Sequence, residues 1–252
     1  MLNALISSVA EKKVQLDRLR PLSLAALRQL QKHYDIELTY TSNAIEGNTL
    51  TLRETAEVIE HGITVGGKQL RDHLEAVDHY DALLWMRERA EIVSPLGEAT
   101  VTELHRRIVA RSRPDIAGMY SQLPRRIAGS PVVFPNPAKI PELMEDFGAR
   151  LAMAPLDPAA AFDAHFRLTA IHPFGDGNGR TARLLMNLML IRGGYPPIAV
   201  RPEDRTAYLD ALERGSLAED LNPFQVFMHQ RLDATLAEYL GVLREAVPRG
   251  GQ

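Results

Sequence analysis

The sequence predicts an all-α protein interrupted by one small β-hairpin. Three observations carry that expectation. Apolar residues recur at three- and four-residue spacing through most of the chain, capping signals open and close those stretches, and one segment, 118–137, breaks the pattern with Gly and Pro.

In chain order, Leu2, Leu5, Ile6, Val9, Val14 and Leu16 give a first amphipathic helix that must stop or bend near Pro21. A second runs from Leu22 to Thr41 and ends at Glu46-Gly47. Thr51 with Glu54, and Thr100 with Glu103, have the spacing of capping boxes and predict two further helix starts. His73 and His79 are six apart and therefore on different helix faces, so they read as ordinary helix positions and not as a metal pair. Arg106, Arg107, Arg111 and Arg113 read as a solvated helix face. Gly129-Ser130-Pro131 then separates Gln122–Ala128 from Val132-Val133-Phe134, a pattern for a hairpin kept at an edge by its prolines. Asp157-Pro158 supplies an N-cap and a first-turn proline for a helix running into His172-Pro173. The next, Asn178 to Ile191, is apolar on nearly every face, which predicts a central buried helix stopped by Gly193-Gly194.

Composition narrows the class. The 252 residues carry 29 basic and 32 acidic side chains for a net charge of −3, with 45% apolar residues and no cysteine. That balance argues against a field-driven nucleic-acid binder or a disordered tail, and zero Cys excludes disulfides, Cys-ligated metals and thiolate nucleophiles. No N-terminal leader pattern or membrane-length apolar run is present, so a cytoplasmic protein is expected. Of the basic residues 24 are Arg and 5 are Lys, an excess that marks either phosphate chemistry or plain composition.

The chemistry-bearing segment lies between the last two helices described: His172-Pro173-Phe174-Gly175-Asp176-Gly177-Asn178-Gly179-Arg180-Thr181-Ala182-Arg183. Three glycines in five residues permit close backbone approach, and the turn presents free N–H groups at a helix start, where the dipole favours an anion. Arg180 and Arg183 are three apart and can reach one phosphate chain from the same side. Asp176 offers a hard carboxylate oxygen suited to Mg²⁺, and His172 a base that titrates near neutrality. A dinucleotide fingerprint would need a preceding strand and a different glycine spacing, and a calcium loop would need the alternating acids that are absent here.

Residues His172 to Arg183 match, position for position, the HPFx(D/E)GNGRxxR signature of the Fic (Fido) family, enzymes that transfer AMP from ATP to a hydroxyl of a target protein. The similarity spans roughly 42–230 and resembles the core of the animal endoplasmic-reticulum members, without a membrane anchor or tetratricopeptide repeats. The resemblance implies a Fic helical core over 98–230 with a hairpin flap, an inhibitory N-terminal region over 1–97, and a C-terminal helix and tail over 231–252. It implies His172 as general base, Asp176 as the ligand of Mg²⁺ (or Mn²⁺), and Gly175, Gly177, Asn178 and Gly179 around the phosphates of ATP. Arg180 would meet the β-phosphate and Arg183 the γ-phosphate. Arg126, Ile127, Ala128 and Gly129 would line the site from the flap, and Tyr208 and Leu209 would contact adenine or ribose. Ser216 stands where an Asn is common, which leaves nucleobase choice open.

Ser42-Asn43-Ala44-Ile45-Glu46-Gly47 matches the family's (S/T)xxxE(G/N) inhibitory motif. Ser42, Glu46 and Gly47 are thereby implied in a switch in which Glu46 pairs with Arg183 and displaces the γ-phosphate. A carboxylate in the last turn of a helix faces the wrong pole of the dipole and needs a partner to offset it. The expected partners are a protein target held along the flap, the chain itself as a self-modification substrate, and a second copy in a homodimer; neither nucleic acid nor membrane is expected. Removal of AMP by the same site, transfer of another nucleotide or of phosphocholine, and a regulatory binding module with little catalysis stay open as alternatives.

Overall fold

The computed structural model describes residues 1–20, 24–126, 129–218 and 220–246. Its centre is the helix whose sequence is apolar on nearly every face. Here α1 is Leu2–Arg18, α2 Leu24–Ile45, α3 Leu52–His61, α4 Leu70–Glu91, α5 Glu98–Ile108, α6 Ile140–Met153, α7 Pro158–Ile171, α8 Asn178–Arg192, α9 Arg205–Ala218 and α10 Asn222–Ala246. Every residue of α8 from Arg180 to Leu190 is buried, because α4, α5 and α7 pack around it. Leu22, the expected start of the second helix, lies outside the described residues.

One continuous apolar core joins these helices, with a small satellite of Leu50, Val58 and Ala76 beneath α3. α1 lies along α10, so the N-terminal region is sewn to the C-terminal helix. Gly97 is the N-cap of α5, so the boundary at 97/98 coincides with a helix start. The boundary at 230/231 falls inside the unbroken α10, so no structural division exists there. Among the described residues no helix is long and apolar enough to cross a membrane.

The caps show which local signals held. Thr51 Oγ1 accepts from Glu54 N at 3.2 Å while Glu54 Oε2 accepts from Thr51 N at 2.7 Å, the reciprocal box expected. Asp157 Oδ1 accepts from Ala160 N at 2.8 Å with Pro158 at the first helical position. The Thr100–Glu103 box does not form: α5 begins at Glu98, and Glu103 is instead held by Arg106 and Arg107, both at 2.7 Å. Packing decides the earlier start, since Gly148 of α6 brings the Glu98 backbone so close that a Cβ there would meet Glu98 N at 2.7 Å.

The expected β-hairpin also needs correction. Residues 122–126 and 129–134 leave helix, and Gly129, Ser130, Val132 and Phe134 line one side of a cleft, but among the described residues the β pairing is a single bridge, Tyr120 to Phe174. Pro124, Pro131 and Pro135 withdraw N–H donors from both arms, and Gly129 sits at φ 82°, so the segment turns back without building a ladder.

Three histidines are locked into this scaffold uncharged. Burial is the leading cause that holds His79 and His165 down to about 3 and His105 to about 4, and neighbouring Arg180 or Arg183 adds to it at each. In the unfolded chain these groups titrate near 6.5. Between that value and the depressed ones the unfolded state binds more protons, so stability is complete above about pH 6.5 and is lost progressively as pH falls toward 4 and 3. Denaturant unfolding followed by circular dichroism is expected to give a lower midpoint at pH 5 than at pH 7, and equal midpoints would contradict neutral burial.

Candidate active site

The signature turn is built by backbone geometry before it is a site. α7 ends at His172, which adopts a left-handed conformation (φ 52°, ψ 52°) and is the one described non-glycine residue at positive φ. The Asn178 side chain then closes the turn. Its Oδ1 accepts from Phe174 N and its Nδ2 donates to Phe174 O, both at 2.9 Å. Gly177 caps α8 at φ 75°, a value that a side chain would oppose.

His105, which the motif reading missed, bolts the turn from below. Its Nδ1 accepts from Gly118 N at 3.0 Å, so Nε2 carries the proton and donates to Asp176 O at 3.0 Å. Its ring stacks on Phe174 at 3.7 Å. Nothing local in the sequence marks it, because its partners are 13 and 71 residues away.

His172 faces the cleft. Its Nδ1 lies 3.3 Å from Thr169 O, which can only accept, so Nδ1 holds the proton and Nε2 is left as a lone pair. The ring stacks on Phe134 of the flap segment at 4.0 Å. Burial lowers its pKa below the ordinary histidine value, opposed by Thr169 O and by the charge of Glu46.

Glu46 lies just past the end of α2, where the expected offsetting partner is found. Arg183 Nη2 donates to Glu46 Oε1 at 2.7 Å and to Ser42 O at 2.9 Å, and Arg183 Nε donates to Ser42 Oγ at 3.0 Å. Burial works against the Arg183 charge, but Glu46 and Tyr208 more than compensate and its pKa stays above the ordinary value. The Glu46 carboxylate rests on the first turn of α8, so close to Gly179 that a Cβ there would meet Oε1 at 2.5 Å. The carboxylate thus takes the place that the helix dipole prepares for an anion. Gly47, at φ 93°, turns the chain away directly after it.

These groups share one cleft of about 430 Å³, lined by Glu46, Gly179, Arg183 and His172 and also by Leu209 and Leu212. Tyr208 also lines it, but its hydroxyl is turned inward, accepting from Arg183 Nη1 at 3.4 Å and donating to His165 Nε2 at 2.9 Å. Gly129 and Ser130 close the cleft from the flap side, and Ser130 Oγ donates to Glu213 Oε2 at 2.6 Å.

Other residues singled out in the sequence sit elsewhere. Arg126 is exposed; its neighbour Arg125 is the one directed inward, with Nη2 2.9 Å from where a Cβ on Gly175 would be. Ile127 and Ala128 lie outside the described residues. The Asn178 side chain is wholly engaged by the turn and does not face the cleft. Arg180 is buried beside the turn, donating to Asp176 Oδ1 at 3.3 Å and to Asn43 Oδ1 at 3.5 Å, and does not line the cleft. Asp176 is part-exposed at the turn, and a single carboxylate in that position suits a cation completed by phosphate oxygens and water.

The profile of the Fic/DOC family matches residues 95–190. In the solved structures, residues 134–508 of Fic-1 from C. elegans superpose with a TM-score of 0.84 at 31% identity, covering 97% of this chain and 73% of that one. The chain belongs to the Fic/DOC family. A Fic-domain signalling protein of Bacteroides thetaiotaomicron superposes with a TM-score of 0.85 at 28% identity over 94% of this chain and 97% of its own. A protein adenylyltransferase Fic of Nematostella vectensis is 33% identical over 245 residues, covering 94% of this chain and 56% of that protein. This Fic chain spans about half the length of the curated relatives it matches, 56% and 44% for two of them.

Proposed function

We propose that this chain is a protein adenylyltransferase that moves AMP from ATP to a Ser, Thr or Tyr hydroxyl of a target protein, and that Glu46 holds it in an inhibited state. The observation that carries the reading is the convergence of a free histidine nitrogen, a glycine-lined helix N-terminus and a buried arginine on one cleft. The curated relatives bear the name of that activity. A target segment lying along 122–135 would bring its hydroxyl to His172. The absence of cysteine suits a reducing, cytoplasmic setting.

In the proposed reaction His172 Nε2 accepts the hydroxyl proton as the target oxygen bonds to the α-phosphorus, and the bond from that phosphorus to the bridging oxygen of pyrophosphate breaks. The first-turn N–H groups of α8 and Arg183 hold the developing negative charge of the departing group. Asp176, steadied by Arg180 and by the His105 bond to its carbonyl, is the residue that would hold Mg²⁺. When bound, the cation would supply neutralisation of phosphate charge. The apolar side chains of Leu209 and Leu212 in the cleft lining would receive the base.

Incubation of the chain with ATP labelled at the α- or the γ-phosphate tests the reaction class. Label is expected on protein from the α-position alone, with the mass gain of one AMP. Transfer of the γ-label would instead indicate a kinase and overturn the proposal.

A further inference from the structure

Asp176 is tied into a closed ring of four charges. Its Oδ2 accepts from Arg71 Nη2 at 3.1 Å and its Oδ1 from Arg180 Nη2 at 3.3 Å. The ring closes through Glu75, whose Oε1 accepts from Arg71 Nε at 3.0 Å and lies 3.6 Å from Arg180 Nη1. Both oxygens of the carboxylate thus face a guanidinium.

The two arginines differ in how freely they can leave. The Arg180 side chain is 2% exposed and held from several sides, whereas that of Arg71 is 53% exposed. Arg71 stands on the first turn of α4, where the helix dipole disfavours a cation, so its place is explained by Glu75 and Asp176 and not by its own helix. Glu75 is nearly buried and also accepts from Asn48 Nδ2 at 3.1 Å, so it stays fixed if Asp176 changes partner.

We propose that Arg71 is a resident substitute for the divalent cation. It neutralises Asp176 while the site is empty, yields that carboxylate when metal and nucleotide load, and retains Glu75 as its partner. Arg71 is then a positioning residue that sets the metal concentration at which the site fills. This rests on reading Asp176 as the metal carboxylate.

Mn²⁺ binding to the full chain at saturating ADP, followed by electron paramagnetic resonance of free Mn²⁺, tests it without any transfer reaction. ADP lacks the γ-phosphate that would compete with Glu46. Arg71→Ala is expected to tighten Mn²⁺ binding about two- to fivefold, the range for a part-exposed ion pair. Arg71→Gln, which keeps a hydrogen-bond donor toward Glu75, should do the same if the alanine variant folds poorly. Arg71→Lys should stay nearer the parent chain. Unchanged or weaker Mn²⁺ binding in both neutral variants would overturn the proposal while leaving the AMP-transfer reading intact. Asp176→Ala is expected to abolish the bound Mn²⁺, and its persistence would overturn both the role of Arg71 and the metal reading beneath it.

Discussion

Glu46→Gly is expected to raise the rate at which the chain labels itself from α-labelled ATP by about tenfold to a hundredfold. The size follows from a coupling of roughly 1–3 kcal/mol between inhibitor and nucleotide, the usual range for such linkages. Glu46 lies against the N-terminus of α8 and holds Arg183 at 2.7 Å, so on the proposed reading it would compete with a terminal phosphate for both partners at once. Removing it would free the first turn of α8 and leave Arg183 held by Ser42 and Tyr208, available to a phosphate on the proposed reading. The same change removes the counter-charge of a buried arginine, so the melting temperature is expected to fall by a few degrees in the absence of nucleotide and to recover when ATP is added. Equal labelling in parent and variant would remove the inhibitory role. Loss of AMP release from a premodified target in the variant would instead assign Glu46 to water positioning.

Much of this site could be read because its chemistry is contiguous: His172, Asp176 and Arg183 fall within a dozen residues, and the glycines between them dictate the turn. What escaped the sequence depends on contacts across the fold. His105 is an ordinary helix histidine until its partners at Gly118 and Asp176 are known. Arg125 and Arg126 are indistinguishable as a pair of letters, and only the path of the flap segment turns the first of them inward. Asn178 has the chemistry of a phosphate contact, yet the turn needs both its donor and its acceptor. The Thr100 box failed for a similar reason, since the contact with Gly148 moved the helix start. Glu46 and Arg183 are 137 residues apart, so their pairing came from resemblance and not from spacing. Local pattern specified elements and turn chemistry, while packing chose which arginine faces the cleft and which is buried.

His172→Ala should lower AMP transfer by about 10²- to 10⁴-fold, the usual contribution of a positioned general base, and leave ATP affinity nearly unchanged. The backbone complicates the alanine variant. His172 sits at φ 52°, a left-handed conformation in which His is enriched and alanine is not, so a shifted turn in the alanine variant would also reduce the rate. Asparagine tolerates the left-handed region far better and cannot accept the proton at the Nε2 position, so His172→Asn separates the two effects. If His172 acts as the base, both variants are inactive although the asparagine variant melts close to the parent chain. If strain alone matters, the asparagine variant retains most of the rate, and the assignment falls. The pH profile supplies an independent reading. Burial depresses the histidine pKa, so the neutral, competent form persists below the ordinary value near 6.5. The acid limb of the transfer rate should therefore lie below pH 6.5, and in Glu46→Gly it should move lower still, because Glu46 is one of the charges that raise this pKa. A limb that stays fixed when Glu46 is removed would mean that some group other than His172 is titrating.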